Sequence, residues 1–217
     1  MIRDLVIVGA SGFGKEVAWL IGSINAAEPR WRIAGFLDDR VEAGASCLGL
    51  PVLGPVAAAG AGRDHEEVVV AVGDPRVRRH LTEQLSAAGA RFPSLVHPGV
   101  ELHPSNRVGE GVVICAGNTI TVETRIGDHV HLNLHCTVGH GAVVQDYCTL
   151  SPGVHLSGDV HLEEGAFFGT GAQTIQGVRI GSGTVVGAGA TVTRDLPPAV
   201  VAVGSPARAV KQLDPFR

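Results

Sequence analysis

The sequence predicts two unlike parts: a small Rossmann-like α/β domain over residues 1–97, then a left-handed parallel β-helix of about five coils over residues 98–217. Three observations predict it. Strand-like and helix-like stretches alternate up to about residue 97. From Leu102 onward a large apolar residue recurs at every sixth position. Glycine is abundant, at 30 of 217 residues, while aromatic residues make up only 4%. That composition suits a core assembled from small, repeated layers.

Bulk properties narrow the function. With 45% hydrophobic and 18% charged residues the chain is expected to be folded rather than disordered. Lys and Arg number 17 against 21 Asp and Glu, a net charge of −4, so there is no basic footprint for nucleic acid or an anionic membrane. No apolar run approaches the ~18 residues of a membrane span. Met1–Val8 is strand-like rather than a charged segment leading into a long apolar one, so no secretory signal is expected. Cys47, Cys115, Cys136 and Cys148 lack CxxC spacing. A cytoplasmic protein with reduced thiols is the expectation.

In the first part, Leu5–Val8 is a short apolar run closed by Gly9, and Lys15–Ile24 spaces Val17, Leu20, Ile21 and Ile24 as a helix does. Ile33–Leu37 reads as a second strand closed by Asp38-Asp39. Val68–Val72 reads as a third, stopped by Gly73-Asp74-Pro75. Val77–Ala88 reads as a helix, with Gly89 ending it.

The second part steps by six through Leu102, Val108, Ile114, Ile120, Ile126, Leu132, Val138, Val144, Leu150, Leu156, Leu162, Phe168, Thr174, Ile180, Val186 and Val192; Thr174 alone is not large and apolar. Two residues before these positions stand small or narrow ones, among them Val112, Asn118, Cys136, Ala142, Cys148 and Ala166. Gly109, Gly127, Gly139, Gly169, Gly181 and Gly187 directly follow the apolar position, where a tight turn is expected. Three hexapeptides make one coil of a triangular prism, so residues 18 apart stack about 4.8 Å apart along its axis. The register turns Cys136 and Cys148 inward, as packing residues.

Both parts together resemble the two-domain acetyltransferases that act on nucleotide-linked 4-amino sugars or on sialic acid. The resemblance rests on Val8-Gly9-Ala10-Ser11-Gly12-Phe13-Gly14, Gly35-Phe36-Leu37-Asp38-Asp39, Gly49–Gly54, Val72-Gly73-Asp74 with Arg78, and Leu95-Val96-His97-Pro98. In the repeat it rests on Asn133–His140, Ser151–Val154, Leu156-Ser157-Gly158, Gly187–Ala190 and Gly204–Ala207. It implies a homotrimer, with acetyl-CoA lying in the groove between adjacent prisms and each active site shared by two chains.

His140 matches the family's catalytic histidine, a general base for amide formation suited to working pH. The family commonly has an acidic residue next; here it is Gly141. By the 18-residue repeat, Glu123 and Asp159 flank that position from the coils on either side, and either can assist the histidine in its place. A backbone carbonyl is the alternative. The resemblance further implies that Gly158, Thr170 and Ala188 line the pantetheine groove, with Arg208 and Lys211 near the phosphates of the cofactor. It also puts the nucleotide-sugar against Gly12, Phe13 and Gly14, with Asp38 or Asp39 near base or ribose and Gly73 and Arg78 opposite. Phe13 stands where the family often has histidine, and Asp74 where it often has asparagine.

Two motif readings fall away. Gly9–Lys15 resembles a P-loop, but Glu16 stands where the magnesium-binding hydroxyl belongs, and the order is GxxGxG rather than the dinucleotide GxGxxG. A zinc carbonic anhydrase β-helix is a rival class, suggested by His135-x4-His140 and His129-Val130-His131, but no histidine matches at the position two coils upstream, Gly99, and that family lacks the α/β part. A non-catalytic scaffold is a third class. The sequence therefore points to acetyl-CoA-dependent N-acetylation of a nucleotide-linked amino sugar, with O-acetylation of sialic acid second and no metal expected.

Overall fold

The computed structural model describes residues 2–59 and 67–217; Met1, the first residue of the strand-like opening, lies outside them. The N-terminal part runs β1 (Arg3–Val8), α1 (Gly12–Ala27), β2 (Trp31–Leu37), β3 (Ser46–Cys47), β4 (Leu50–Gly54), β5 (Glu67–Val70), α2 (Pro75–Ala87) and β6 (Leu95–Val96). β1 lies between β2 and β5, parallel to both, in a five-stranded sheet of order β3-β4-β2-β1-β5. Its Leu5, Val6, Ile7 and Val8 are fully buried, which is why it reads as a continuous apolar run. The hairpin β3–β4 carries no apolar periodicity and escapes the sequence reading. α2 begins two residues before the expected Val77 because Asp74 caps it, its carboxylate accepting from the amides of Arg76 (2.8 Å) and Val77 (3.1 Å), with Pro75 at the first helical position. Gly73-Asp74-Pro75 thus ends one element and starts the next.

From Arg107 to Val192 every hexapeptide supplies one two-residue strand, distributed over three faces. Face 1 holds Arg107–Val108, Arg125–Ile126, Val143–Val144, His161–Leu162 and Arg179–Ile180. Face 2 holds Val113–Ile114, His131–Leu132, Thr149–Leu150, Phe167–Phe168 and Val185–Val186. Face 3 holds Thr119–Ile120, Thr137–Val138, His155–Leu156, Gln173–Thr174 and Thr191–Val192. Partners in the ladders are 18 residues apart, as in His131 with Thr149 and Arg125 with Val143. The repeat's second residue points inward: Ile114, Leu132, Val138, Leu150, Leu162 and Phe168 are completely buried and stack into one core. Thr174, the exception, is also inward, and its hydroxyl accepts from the amide of Ser157 at 3.1 Å.

Counting hexapeptides from Leu102 to Val192 falls short of the stack. Face 2 has eight strands, because β6 joins it from before the repeat and Val200–Val203 and Arg208–Gln212 extend it beyond. Leu102, conversely, forms no strand and only packs on the core's edge. The glycine expectation also changes. Gly109, Gly127, Gly139, Gly169 and Gly181 are not the left-handed turn residues; a Cβ on any of them would collide with the next coil. The left-handed position is two residues on, held by Gly111, Gly117, Gly141, Gly153, Gly165, Gly171, Gly177, Gly183 and Gly189.

The α/β sheet docks on face 2. β6 pairs with Val113–Ile114, Phe13 packs its ring 5.1 Å from that of His131, and Val113 and Cys115 belong to the same apolar cluster as α1. The turn between faces 3 and 1 is therefore the corner of the prism opposite the α/β part.

Candidate active site

His140 stands on that opposite corner, in the turn from Thr137–Val138 on face 3 to Val143–Val144 on face 1. Asp159 and Gly158 occupy the same turn one coil up. The Nδ1 of His140 lies 3.8 Å from Oδ2 of Asp159, longer than a hydrogen bond but within ion-pair distance. The other edge of the ring faces Gly158: a Cβ there would collide with Nε2. The carboxylate thus addresses Nδ1 while the glycine keeps Nε2 clear. Both side chains are about two-thirds exposed. Asp159 also adopts a left-handed backbone, φ 57°, at a register position that most turns fill with glycine. Glu123, His129, His135 and Tyr147 adopt the same conformation at the equivalent position of other turns. Gly141 has φ 67°, and a Cβ on it would collide with the carboxylate of Asp159. An acid at 141 and the observed Asp159 rotamer exclude each other, so here the carboxylate comes from the neighbouring coil. Glu123, one coil down, has its amide bonded to Ser105 and makes no ion pair with His140.

The expected cofactor residues divide between two corners. Thr170 and Ala188 are exposed and stacked one coil apart in the turns from face 2 to face 3. Gly158 is on the corner from face 3 to face 1. One chain does not bring them together, because 170 and 158 differ by 12, not 18. Arg208 and Lys211 lie exposed on the strand Arg208–Gln212 at the end of the stack.

In the α/β part a cavity of about 570 Å³ opens at the C-terminal ends of β1, β2 and β5, lined by Gly9, Ala10, Ser11, Asp38, Asp39 and Gly73 among others. Asp38 Oδ2 accepts from the amide of Ala10 and its Oδ1 from Arg40, both at 2.8 Å. Asp39 accepts from Val56 at 2.8 Å. These bonds set the loop that shapes the cavity. Two helices start here. The N-terminus of α2 is closed by the Asp74 carboxylate, but Ser11 makes no side-chain cap, so the first amides of α1 remain open to an anion. Gly12 has open space around it, whereas Gly14 is fixed by contact: a Cβ there would collide with the carbonyl of Gly9.

Two expected pocket residues are elsewhere. Phe13 turns away from the cavity onto His131. Arg78 is completely buried, and its donors are spent on the carbonyls of His129 (2.9 Å), Val72 (2.7 Å) and Tyr147 (2.6 Å) and on Oγ1 of Thr149 (2.9 Å). It rivets α2 to the prism rather than lining the opposite side of the cavity. Burial lowers its pKa to about 9, still charged at neutral pH. The sequence could not reveal this, because the partners in the prism, three carbonyls and the Thr149 hydroxyl, are 51–71 residues away.

The remaining candidates serve packing. Burial pushes the thiols of Cys115 and Cys148 up to about 12 and that of Cys136 up to about 11, so none is a nucleophile at neutral pH. His129 stacks on Tyr147, and burial lowers its pKa. His131 is completely buried, and burial together with the charge of nearby Arg78 holds it well below the ordinary imidazole range. His135 and His140 sit on different corners, and among the described residues no three His, Cys, Asp or Glu side chains converge as metal ligands. No helix among the described residues is long and apolar enough to cross a membrane.

A hexapeptide-built prism carrying an exposed histidine–carboxylate pair, joined to an α/β sheet with an anion-ready cavity, defines a hexapeptide-repeat acyltransferase. Residues 4–85 match the PglD N-terminal domain, and residues 160–194 match the hexapeptide repeat of succinyl-transferase. The chain is 30% identical over 211 residues to GDP-perosamine N-acetyltransferase of Escherichia coli O157:H7, covering 95% of this chain and 96% of that protein. It superposes on PerB from Caulobacter crescentus in complex with CoA and GDP-perosamine with a TM-score of 0.85, at 36% identity, covering 96% of this chain and 97% of the other. The acetyltransferase domain of PglB from Neisseria gonorrhoeae in complex with acetyl coenzyme A gives a TM-score of 0.87 at 32% identity, covering 97% and 100%. The chain belongs to this family of hexapeptide-repeat sugar N-acetyltransferases, and is an acetyltransferase.

Proposed function

We propose that the protein is a cytoplasmic enzyme that transfers acetyl from acetyl-CoA to the amine of a nucleotide-linked 4-amino sugar, at sites shared between the chains of a homotrimer. One observation carries the shared site: His140 and Asp159 lie on the corner opposite face 2, while the nucleotide-sized cavity belongs to the part docked on face 2. A single chain holds base and cavity apart; a neighbouring prism supplies the missing half to each. The same arrangement unites Gly158 of one chain with Thr170 and Ala188 of the next along the pantetheine, with Arg208 and Lys211 toward the phosphates. In this reading residues 1–97, the Rossmann-like part, hold the acceptor through the open N-terminus of α1, and residues 98–217 carry the chemistry.

The mechanism follows from the ring's two edges. The sugar nitrogen attacks the thioester carbonyl carbon; a C–N bond forms, and the C–S bond breaks as the tetrahedral centre collapses. His140 Nε2, kept clear by Gly158, takes the proton that nitrogen loses and returns it to the CoA sulfur, which leaves as the thiol. Asp159, 3.8 Å from Nδ1, orients the imidazole. Asp159→Asn keeps the shape and removes the charge, so it is expected to lower kcat several-fold while leaving KM for acetyl-CoA near native. Glu123→Gln, which removes a carboxylate not paired with the ring, is expected to leave kcat in place. Unchanged turnover in Asp159→Asn refutes the pairing.

The acceptor class is tested by thermal shift and acetyl transfer across UDP-, GDP- and dTDP-linked amino sugars, with free sialic acid alongside. One nucleotide-linked amino sugar is expected to stabilise the protein and be N-acetylated. Turnover confined to sialic acid overturns the reading.

A further inference from the structure

A second cavity, of about 460 Å³, lies where the C-terminal half of α2 crosses the turns from face 1 to face 2. The proposed reaction assigns no residue to that corner of the prism. Its prism wall is an acidic column: Glu110, Asp128 and Asp146 stand 18 residues apart, hence about 4.8 Å from coil to coil. Oδ1 of Asp128 accepts from the amide of Glu110 at 2.9 Å, and Oδ1 of Asp146 from the amide of Asp128 at 2.8 Å. Gly109 and Gly127 make room for these carboxylates, since a Cβ on either would collide with them. Arg79 is engaged with Glu83 (2.8 Å) and Glu164 (3.1 Å), and among the described residues no side chain forms an ion pair with Glu110, Asp128 or Asp146.

Independent features of the same cavity also favour a positive ligand. His129 lines it, is only 6% exposed, and its ring makes no hydrogen bond among the described residues. Burial lowers the pKa of that ring, so it is neutral at pH 7 and can accept from a ligand N–H. With Phe92 set edge-on at 5.0 Å and Tyr147 stacked at 5.2 Å it makes an aromatic wall, a surface that attracts ammonium groups. Ser86 and Ala87 bring in the last turn of α2, the negative end of the helix dipole, and that turn carries no basic residue. The carboxylates are ranked along the prism axis, and among the described residues no three His, Cys, Asp or Glu side chains converge as metal ligands. The column therefore suits several positive charges in a row rather than one metal ion.

We infer that this cavity binds a linear polyamine, its ammonium groups set along Glu110, Asp128 and Asp146 and its alkyl spacers against Phe92, His129 and Tyr147. The volume is that of a small-molecule site rather than a protein-docking surface. The bound polyamine bridges the C-terminal end of α2 and the prism, so it stabilises the docked arrangement of the two parts by mass action.

The experiment is isothermal titration calorimetry and thermal shift on the full chain with spermidine, near neutral pH and at low ionic strength, with magnesium chloride and tetralysine alongside. Spermidine is expected to bind once per chain and to raise the Tm. Asp128→Asn combined with Asp146→Asn keeps the oxygens that accept from the backbone amides and removes two charges. It is expected to weaken spermidine at least about tenfold, the loss of two charge-assisted hydrogen bonds, while acetyl transfer stays within twofold. Ser86→Lys sets an ammonium on an exposed position of the cavity wall in the last turn of α2. It is expected to raise the Tm of the ligand-free protein and to abolish spermidine binding. No binding by the native chain, or undiminished binding by either variant, overturns the inference. So does a magnesium shift as large as spermidine's, which would mean general charge screening. Tetralysine binding more tightly than spermidine also overturns it, since the surface would then belong to a basic protein segment.

Discussion

His140→Ala is expected to lower turnover by roughly 10²–10⁴-fold, the usual worth of a positioned general base, while changing the affinity for acetyl-CoA little. The geometry explains the split. In the proposed site the ring meets the donor at one point only, beside Gly158, which lies against Nε2; the rest of the proposed groove is made by residues on another corner. Removing the imidazole therefore deletes proton acceptance and leaves most cofactor contacts intact. His135→Ala on the neighbouring corner is expected to retain near-native turnover. A comparable loss in both variants would mean that the histidines act as a set, which is how a metal site would behave. Near-native turnover in His140→Ala removes it from the mechanism.

The largest expected effect on stability comes from Arg78→Met. Methionine keeps much of the volume but removes a guanidinium that donates to carbonyls in β5's exit, Val72 and Gly73, and in the prism, His129 and Tyr147. Each is left in a buried seam without a donor, at about 1–3 kcal/mol apiece if water does not enter. Relaxation and some water entry bring the expected total to about 3–5 kcal/mol, a fall in Tm on the order of 10 °C for a chain of this size. Loss of activity is expected to follow from undocking of the α/β part and from the freed carbonyls of Val72 and Gly73 in the cavity wall. Differential scanning calorimetry checks the size of the effect; a Tm within two or three degrees of the native chain would show that the seam does not depend on this residue.

What the sequence revealed and what it hid divide along a physical line. The prism was legible because its geometry is one rule applied repeatedly: a side chain must point inward every sixth residue, so a single register locates Cys136, Cys148 and even Thr174 inside. The arithmetic of 18 likewise brought Asp159 to His140 before any coordinates did, and the difference of 12 between Gly158 and Thr170 already separates them. The α/β elements were legible wherever they bury a periodic face, as in β1 and α1. Three things were hidden because they depend on contacts between distant main-chain atoms. Arg78 looks like any helix arginine until His129 and Tyr147 are seen beneath it. The tail Asp214–Phe216 is short and aperiodic, and its seat is made of two glycines that the repeat alone explains as turns. The function of the glycines after each apolar residue was misassigned for a similar reason, since crowding between coils is invisible to a one-dimensional pattern. Phe13 shows the converse: its place in a glycine-rich strand-to-helix turn suggests ligand, yet the residue faces His131 across the docking seam.

The account stands on a site assembled from two chains, and subunit complementation tests that most directly. One variant, His140→Ala, lacks the base but keeps the cavity. A second, Gly12→Asp, keeps the base but places a negative charge at the open N-terminus of α1, where there is room for a side chain and where it opposes a phosphate. Each is expected to be nearly inactive as a homotrimer. Co-expressed, mixed trimers contain interfaces that pair an intact His140 with an intact cavity, and the predicted result is clear recovery of acetyl transfer. A mixed preparation no more active than the two variants alone, with mixed trimers verified by mass spectrometry, would contradict the shared site.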